Sequence, residues 1–134
     1  MRIVALDYGA KRVGVAVADT EIGIPFPATV LPNDLEQIVR WLQQERIERV
    51  VVGAPYLMWG ERGERVAEVE RFAQQLRERI NLPIELLDER LTTQEAERRL
   101  REGSSKRTTR RHAVDALAAA LLLETYLRRL SADG

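Results

Sequence analysis

The hydrophobic positions at the start of the chain follow a strand pattern. Two runs rich in alanine and β-branched residues, Arg2–Tyr8 and Arg12–Asp19, are separated by a short turn that begins at Gly9. This arrangement predicts an antiparallel hairpin. A third short strand is predicted at residues 28–31, and the two prolines that precede it place it at the edge of the sheet.

The middle of the chain alternates helical and strand patterns. Asn33 is predicted to cap a helix that ends near residue 45, with Glu36 as the reciprocal partner of a capping box. Residues 49–53 form a valine-rich run without polar alternation, which is typical of a strand buried on both faces. A second helix over residues 64–80 and a further strand over residues 84–88 follow.

Two more helices are predicted in the last third of the chain. Thr92 and Glu95 have capping-box spacing for a helix that runs to Glu102, where a glycine and two serines end it. A polar, basic loop then leads into a helix over residues 111 to about 129. The predicted fold class is α/β, a mixed β-sheet with helices on both faces, in one domain over residues 1–134.

Composition excludes several classes of protein. The 134 residues include no cysteine, which excludes a disulfide scaffold, a thiolate metal site and a cysteine nucleophile. The absence of cysteine suits a reducing compartment, so we expect a soluble, cytoplasmic protein. The longest apolar run, residues 116–123, is much shorter than the ~20 residues of a membrane span, and no membrane partner is expected.

The net charge of zero hides a strongly basic segment. Residues 98–112 contain seven basic residues and one acid, so the rest of the chain is correspondingly acidic. In this segment Lys106, Arg107, Arg110 and Arg111 are predicted to bind the phosphate backbone of a nucleic acid. The alternative is an ordinary solvated surface, because charged runs usually face water.

Acidic residues at three places are candidates for metal binding. Asp115 interrupts an apolar helix, where an ionised carboxylate is costly unless another charge compensates it. Asp7 lies near the end of an apolar strand, just before Gly9. Asp88 and Glu89 end another strand, and only one of them can face Asp7 because neighbouring strand residues face opposite sides. Such an oxygen-only site suits Mg²⁺ or Mn²⁺ and the in-line hydrolysis of a phosphodiester bond.

The acids also have structural explanations that the residues leave open. Asp115 could lie at the start of its helix, stabilised by the helix dipole and by a nearby arginine such as Arg111. Asp7 could be a turn residue, since aspartate and glycine are common in hairpins. These explanations need no ligand.

Four segments of the chain resemble the YqgF/RuvX family: IVALDYGAKRVGVAVAD, VVGAP, LLDERLTTQEA and HAVDALAAALLLETYL. The resemblance runs essentially end to end and implies the ribonuclease H-like fold and a relation to the RuvC Holliday-junction resolvases. It implies a cytoplasmic bacterial nuclease that acts on pre-16S rRNA in maturation of the 5′ end, with resolution of branched DNA as the alternative. The family's acids fall on Asp7, on Glu89 with Asp88 beside it, and on Asp115.

Two residues bear on how far the resemblance extends. Trp59, in the predicted loop over residues 54–63, stands where the family often has an acid or an amide. His112 lies one turn before Asp115, where RuvC-like enzymes tend to place a metal ligand or a catalytic histidine. Two other functions stay open: an RNA-binding ribosome assembly factor with little catalysis, and an ATP-binding module, for which the chain is short.

Overall fold

The computed structural model of the chain describes residues 1–54, 62–88 and 107–133. The predicted helix from Thr92 to Glu102, Trp59 and two of the predicted site residues, Glu89 and Lys106, lie outside these ranges. The described elements, in chain order, are β1 (Arg2–Tyr8), β2 (Arg12–Asp19), β3 (Phe26–Pro32), α1 (Leu35–Gln44), β4 (Arg49–Ala54), α2 (Arg62–Arg79), β5 (Ile84–Asp88) and α3 (Arg107–Asp133).

The five strands form one mixed sheet in the order β3-β2-β1-β4-β5. The first three strands pair antiparallel, whereas β1, β4 and β5 run parallel to one another. The predicted hairpin, the buried valine-rich strand and the mixed sheet are therefore confirmed. Since parallel strands end at the same edge, the carboxyl ends of β1, β4 and β5 meet at one side of the molecule.

Helices cover both faces of the sheet, as the sequence predicted. Val4 and Leu6 of β1 belong to a core beneath α1 and α2, whereas Ile3 and Ala5 belong to a second core beneath α3. This alternation follows from the period of two along a strand. Small residues, Ala5 and Ala16 among them, line the α3 side and leave room for the helix to lie close to the sheet.

The cap of α1 differs from the prediction. Asp34, rather than Asn33, is the N-cap residue, and its carboxylate accepts hydrogen bonds from the backbone N–H groups of Glu36 and Gln37 at 3.0 and 3.3 Å. The Glu36 side chain does not complete a capping box but pairs with Arg79 of α2. A side chain remote in sequence therefore replaces the local partner.

The edge strand β3 begins at Phe26, two residues before the predicted strand over residues 28–31. Its pairing with β2 shifts register between Val15 and Ala16. Such a bulge accommodates a proline in an edge strand, so Pro27 lies opposite Ala16 without ending β3.

The two longer helices begin earlier than predicted. Helix α2 starts at Arg62, and α3 starts at Arg107 rather than at residue 111. Arg107, Arg110 and Arg111 therefore belong to the first turns of α3, not to a loop.

Among the helices that the structure describes, none combines the length and the apolar character needed to cross a membrane.

Candidate active site

Asp115 lies where α3 crosses β2 at close range. A Cβ atom built on Gly14 of β2 would come within 2.0 Å of the Asp115 carbonyl oxygen and 3.1 Å of the Ala116 nitrogen. Only glycine permits the backbone of a neighbouring element to approach so closely. The backbone contact with Gly14 thus determines how near Asp115 lies to the sheet.

Asp7 lies on the same side of the sheet as Asp115. It is the register partner of Gly14 in the β1–β2 pair. Opposite residues in an antiparallel pair project to one face with Cα atoms roughly 5 Å apart. Ala5, two residues before Asp7, packs beneath α3. Asp7 and the Asp115 backbone therefore both lie next to Gly14 on one face of the sheet, at the carboxyl end of β1.

Arg12 of β2 forms an ion pair with Asp115. Its Nε donates a hydrogen bond to Asp115 Oδ2, and the two side chains are 28% and 22% exposed. The explanation of Asp115 as a helix-start residue is wrong, since α3 begins at Arg107, about two turns earlier. Among the described side chains, a strand residue, Arg12, supplies the compensating charge.

Sequence reasoning missed Arg12 as a site residue, although a signal for it was present. Arg12 precedes Gly14 and Ala16 by two and four residues in β2. Alternate strand residues share a face, so the pattern that put Ala16 beneath α3 also put Arg12 on that side. Its position at the start of β2 is beside the end of β1, where Asp7 lies.

The turn between β1 and β2 is held by Asn33. The Asn33 side-chain amide donates to the carbonyl oxygens of Gly9 and Ala10 at 2.9 and 3.3 Å. Its backbone N–H donates to Lys11 O at 3.1 Å. A Cβ on Gly9 would lie 2.6 Å from the Arg12 carbonyl oxygen, so the turn is tight. These contacts fix the backbone from which the Arg12 side chain extends.

The remaining predicted site residues are described in part or not at all. Asp88 is the last residue of β5 and pairs with Ala54 of β4. The structure describes its backbone but not its side chain, and Glu89 and Lys106 lie outside the described residues. Only the helical backbone is described for the candidate residues in α3, which are Arg107, Arg110, Arg111 and His112.

The placed carboxylates suit a hard divalent cation. Among the described residues no group of three or more histidine, cysteine, aspartate or glutamate side chains forms a metal site. The two acids that are described, Asp7 and Asp115, offer carboxylate oxygens, the ligands that Mg²⁺ and Mn²⁺ prefer. Both are partly buried. The donor chemistry therefore fits such an ion, with the Arg12 guanidinium as a competing cation on Asp115.

The sheet order and the helices on both faces define a ribonuclease H-like fold. The structure of Thermus thermophilus RuvC in complex with a Holliday junction substrate superimposes with a TM-score of 0.62. The two share 14% sequence identity, and the match covers 98% of this chain and 96% of RuvC. At this identity the likeness establishes the fold.

Sequence comparison then establishes the family. The RuvX family, described as Holliday junction resolvase, matches residues 1–129. A Chloroflexus aurantiacus protein named "Putative pre-16S rRNA nuclease" is 40% identical over 130 residues, which cover 93% of this chain and 85% of the relative. A protein of the same name from Desulfitobacterium hafniense is 38% identical, with coverage of 95% and 92%. The chain belongs to the RuvX family of nucleases.

Proposed function

We propose that this protein is a metal-dependent nuclease that hydrolyses phosphodiester bonds of pre-16S rRNA to process its 5′ end. The observation that carries the proposal is that Asp7 is the register partner of Gly14, which the Asp115 backbone contacts on the same face of the sheet. A pair of acids at the carboxyl end of a central strand lies where open α/β sheets bind ligands. The names of the relatives support rRNA as the substrate.

The cofactor we propose is Mg²⁺ or Mn²⁺, held by Asp7, Asp115 and Glu89. We prefer Glu89 to Asp88 because the acid of the family's matching segment falls on Glu89. When bound, such ions activate water and stabilise the leaving oxygen of an in-line displacement. The acids of this chain would hold the ions and align the phosphodiester, and no histidine or serine nucleophile is required.

The first turns of α3 are the proposed nucleic-acid-binding surface, together with Lys106. This part of the helix contains Arg107, Arg110 and Arg111 and no acid in its first turn. Positive side chains are unfavourable at the positive end of a helix dipole unless an anion is bound there. A phosphate backbone at this end would lie about two helical turns from Asp115.

Because the chain lacks cysteine, we propose the cytoplasm as its compartment.

The test is cleavage of precursor 16S rRNA with Mg²⁺ or Mn²⁺, repeated in the presence of a chelator. The proposal expects metal-dependent products at the 5′ end of the mature rRNA and none with the chelator. Exchanging Asp88 and Glu89 separately for their amides identifies the third ligand, since only the exchange of a ligand abolishes cleavage. Cleavage that persists in the chelator would refute the metal-dependent mechanism.

Holliday-junction resolution is the second candidate, because the RuvX family is described by that activity. Symmetric cleavage of two strands requires two active sites related by two-fold symmetry. A four-way DNA junction incubated in parallel with the rRNA separates the two functions by which substrate is cut. Binding of rRNA without cleavage of either substrate would instead support an assembly factor.

A further inference from the structure

Arg12 contacts the same carboxylate that the proposed metal site requires. Its Nε donates to Asp115 Oδ2, and a guanidinium bound there neutralises the carboxylate as a metal ion would. We infer that Arg12 is an internal counter-ion that competes with the divalent cation for Asp115 and, once displaced, binds a phosphate of the nucleic acid. This inference rests on the metal site of the proposed function.

Arg12 and the divalent cation compete because both are positively charged and both bind the Asp115 carboxylate. An oxygen that accepts a hydrogen bond from Arg12 is a poorer ligand for a cation, and a dication beside a guanidinium is repelled by it. The cation therefore binds Asp115 fully only when Arg12 turns away. Removal of the Arg12 charge should strengthen metal binding, which is the opposite of what removal of a ligand does.

The second part of the inference follows from where the Arg12 side chain can move. Its backbone is fixed by the turn that Asn33 holds through Gly9, Ala10 and Lys11. The long side chain is 28% exposed and can rotate while its Cα stays in place. It lies at the carboxyl end of β1, the edge at which a substrate would reach the acids. A guanidinium is well suited to bind a phosphate with two hydrogen bonds.

Stabilisation of the fold accounts for the Arg12–Asp115 ion pair less well than the counter-ion role does. A partly exposed pair adds little to stability. Helix α3 is already held on the sheet by the Gly14 contact and by the second core, which includes Leu122 and Leu123. The backbone position of Asp115 therefore does not depend on Arg12.

The first test compares Mn²⁺ affinity in the wild type, Arg12→Gln and Arg128→Gln by calorimetry. Arg128 is the matched control, since it pairs with Glu124 on the same helix and its loss changes the net charge equally. We expect Mn²⁺ to bind Arg12→Gln about 3- to 10-fold more tightly than the wild type. We expect Arg128→Gln to match the wild type.

The outcomes separate this inference from the proposed function. Equal Mn²⁺ affinity in the wild type and Arg12→Gln would overturn the role of Arg12 and leave the metal site standing. No Mn²⁺ binding by any of the three proteins would overturn both. If the Mn²⁺ affinity rose equally in Arg128→Gln, the increase would be due to net charge alone. That result would also overturn the inference.

The second test measures the affinity for a precursor rRNA fragment in Ca²⁺, which takes the same oxygen ligands. Arg12→Gln should bind the RNA about 10-fold more weakly than the wild type, because a charge-assisted hydrogen bond is lost. Arg12→Lys keeps the charge without the planar fork and should lose about 3-fold. Unfolding would weaken metal and RNA binding together, so tighter metal and weaker RNA binding cannot arise from misfolding. Unchanged RNA affinity in both variants would refute phosphate binding by Arg12.

Discussion

At the scale of single residues, the candidate chemistry depends on charges at the carboxyl end of β1. Asp7 and Asp115 lie on the same face of the sheet, and Arg12 is the cation paired with Asp115. Each is partly buried, so their electrostatic interactions are screened less than those of fully exposed side chains. A change of one charge here should alter metal and substrate binding more than the same change elsewhere on the surface.

The first prediction concerns Asp7. Asp7→Asn keeps the shape of the side chain but removes a metal ligand, so we expect the rate of rRNA cleavage to fall at least about 100-fold. RNA binding should be unchanged or stronger, since a charge that repels phosphate is lost. Glu124→Gln is the control, because Glu124 lies in α3 but is not a residue of the candidate site. This variant should cleave at the wild-type rate. Wild-type cleavage rates in Asp7→Asn would remove Asp7 from the mechanism.

At the scale of elements, the packing of α3 on β2 determines where Asp115 lies. Gly14 contacts the Asp115 backbone, and alanines fill neighbouring positions on the same face of the sheet. The helix therefore approaches the strands at a distance set by the smallest side chains. The site geometry is a result of this close packing.

The second prediction follows from that contact. In Gly14→Ala the new methyl group would meet the Asp115 carbonyl oxygen at 2.0 Å, so α3 must move. Overpacking of this kind typically costs about 1–3 kcal/mol, which denaturant unfolding should measure. Gly23→Asn is the control, because Gly23 has no atom within 4 Å of a built Cβ and asparagine tolerates its positive φ of 77°. A Gly14→Ala variant as stable as the wild type would contradict the close contact.

The third prediction concerns the ion pair that joins α1 to α2. The hydrogen bond from Arg79 lowers the pKa of Glu36 below its usual 4.5. The pair therefore stabilises the folded state above about pH 4.5, and this contribution is lost as the pH falls through the lower pKa of the folded protein. Glu36→Gln should flatten the dependence of the unfolding free energy on pH in that acidic range. An identical pH profile in the variant would show that the pair adds nothing to stability.

At the scale of the whole molecule, charge is segregated although the total is zero. The basic residues between 98 and 112 are balanced by acids elsewhere in the chain. Segregated charge produces a local field that attracts a polyanion even when the net charge is zero. The sequence pI of about 6.6 would not by itself suggest a nucleic-acid-binding protein.

The fourth prediction tests this basic surface. Replacing Arg107 and Arg110 with alanine should weaken binding of every nucleic acid alike. The slope of log affinity against log salt should flatten by about 0.7 to 0.9 per lost contact. The double variant Arg2→Ala with Arg128→Ala changes net charge equally and is the control. Cleavage at saturating substrate should change little in either double variant. An unchanged salt slope in the Arg107 and Arg110 variant would indicate that these residues form an ordinary solvated surface.

Local patterns predicted much of the fold. The strand over Ile84–Asp88 was predicted to the residue, and the hairpin and the sheet class were predicted correctly. These features depend on backbone periodicity and on burial, which neighbouring residues express directly. Asp7 and Asp115 stood out for the same reason, because each carboxylate interrupts an apolar pattern. Their role as metal ligands stays a prediction.

The choice of partners depended on the tertiary structure. Arg12 and Asp115 are 103 residues apart in sequence, and only the packing of α3 on β2 brings them into contact. Asn33 has the chemistry of a cap, but the fold places the Gly9 carbonyl within its reach, and Asp34 caps α1 instead. A sequence by itself determines which groups need partners and which face of an element is buried. Which partner each group receives is decided by the segments that the packed core brings together.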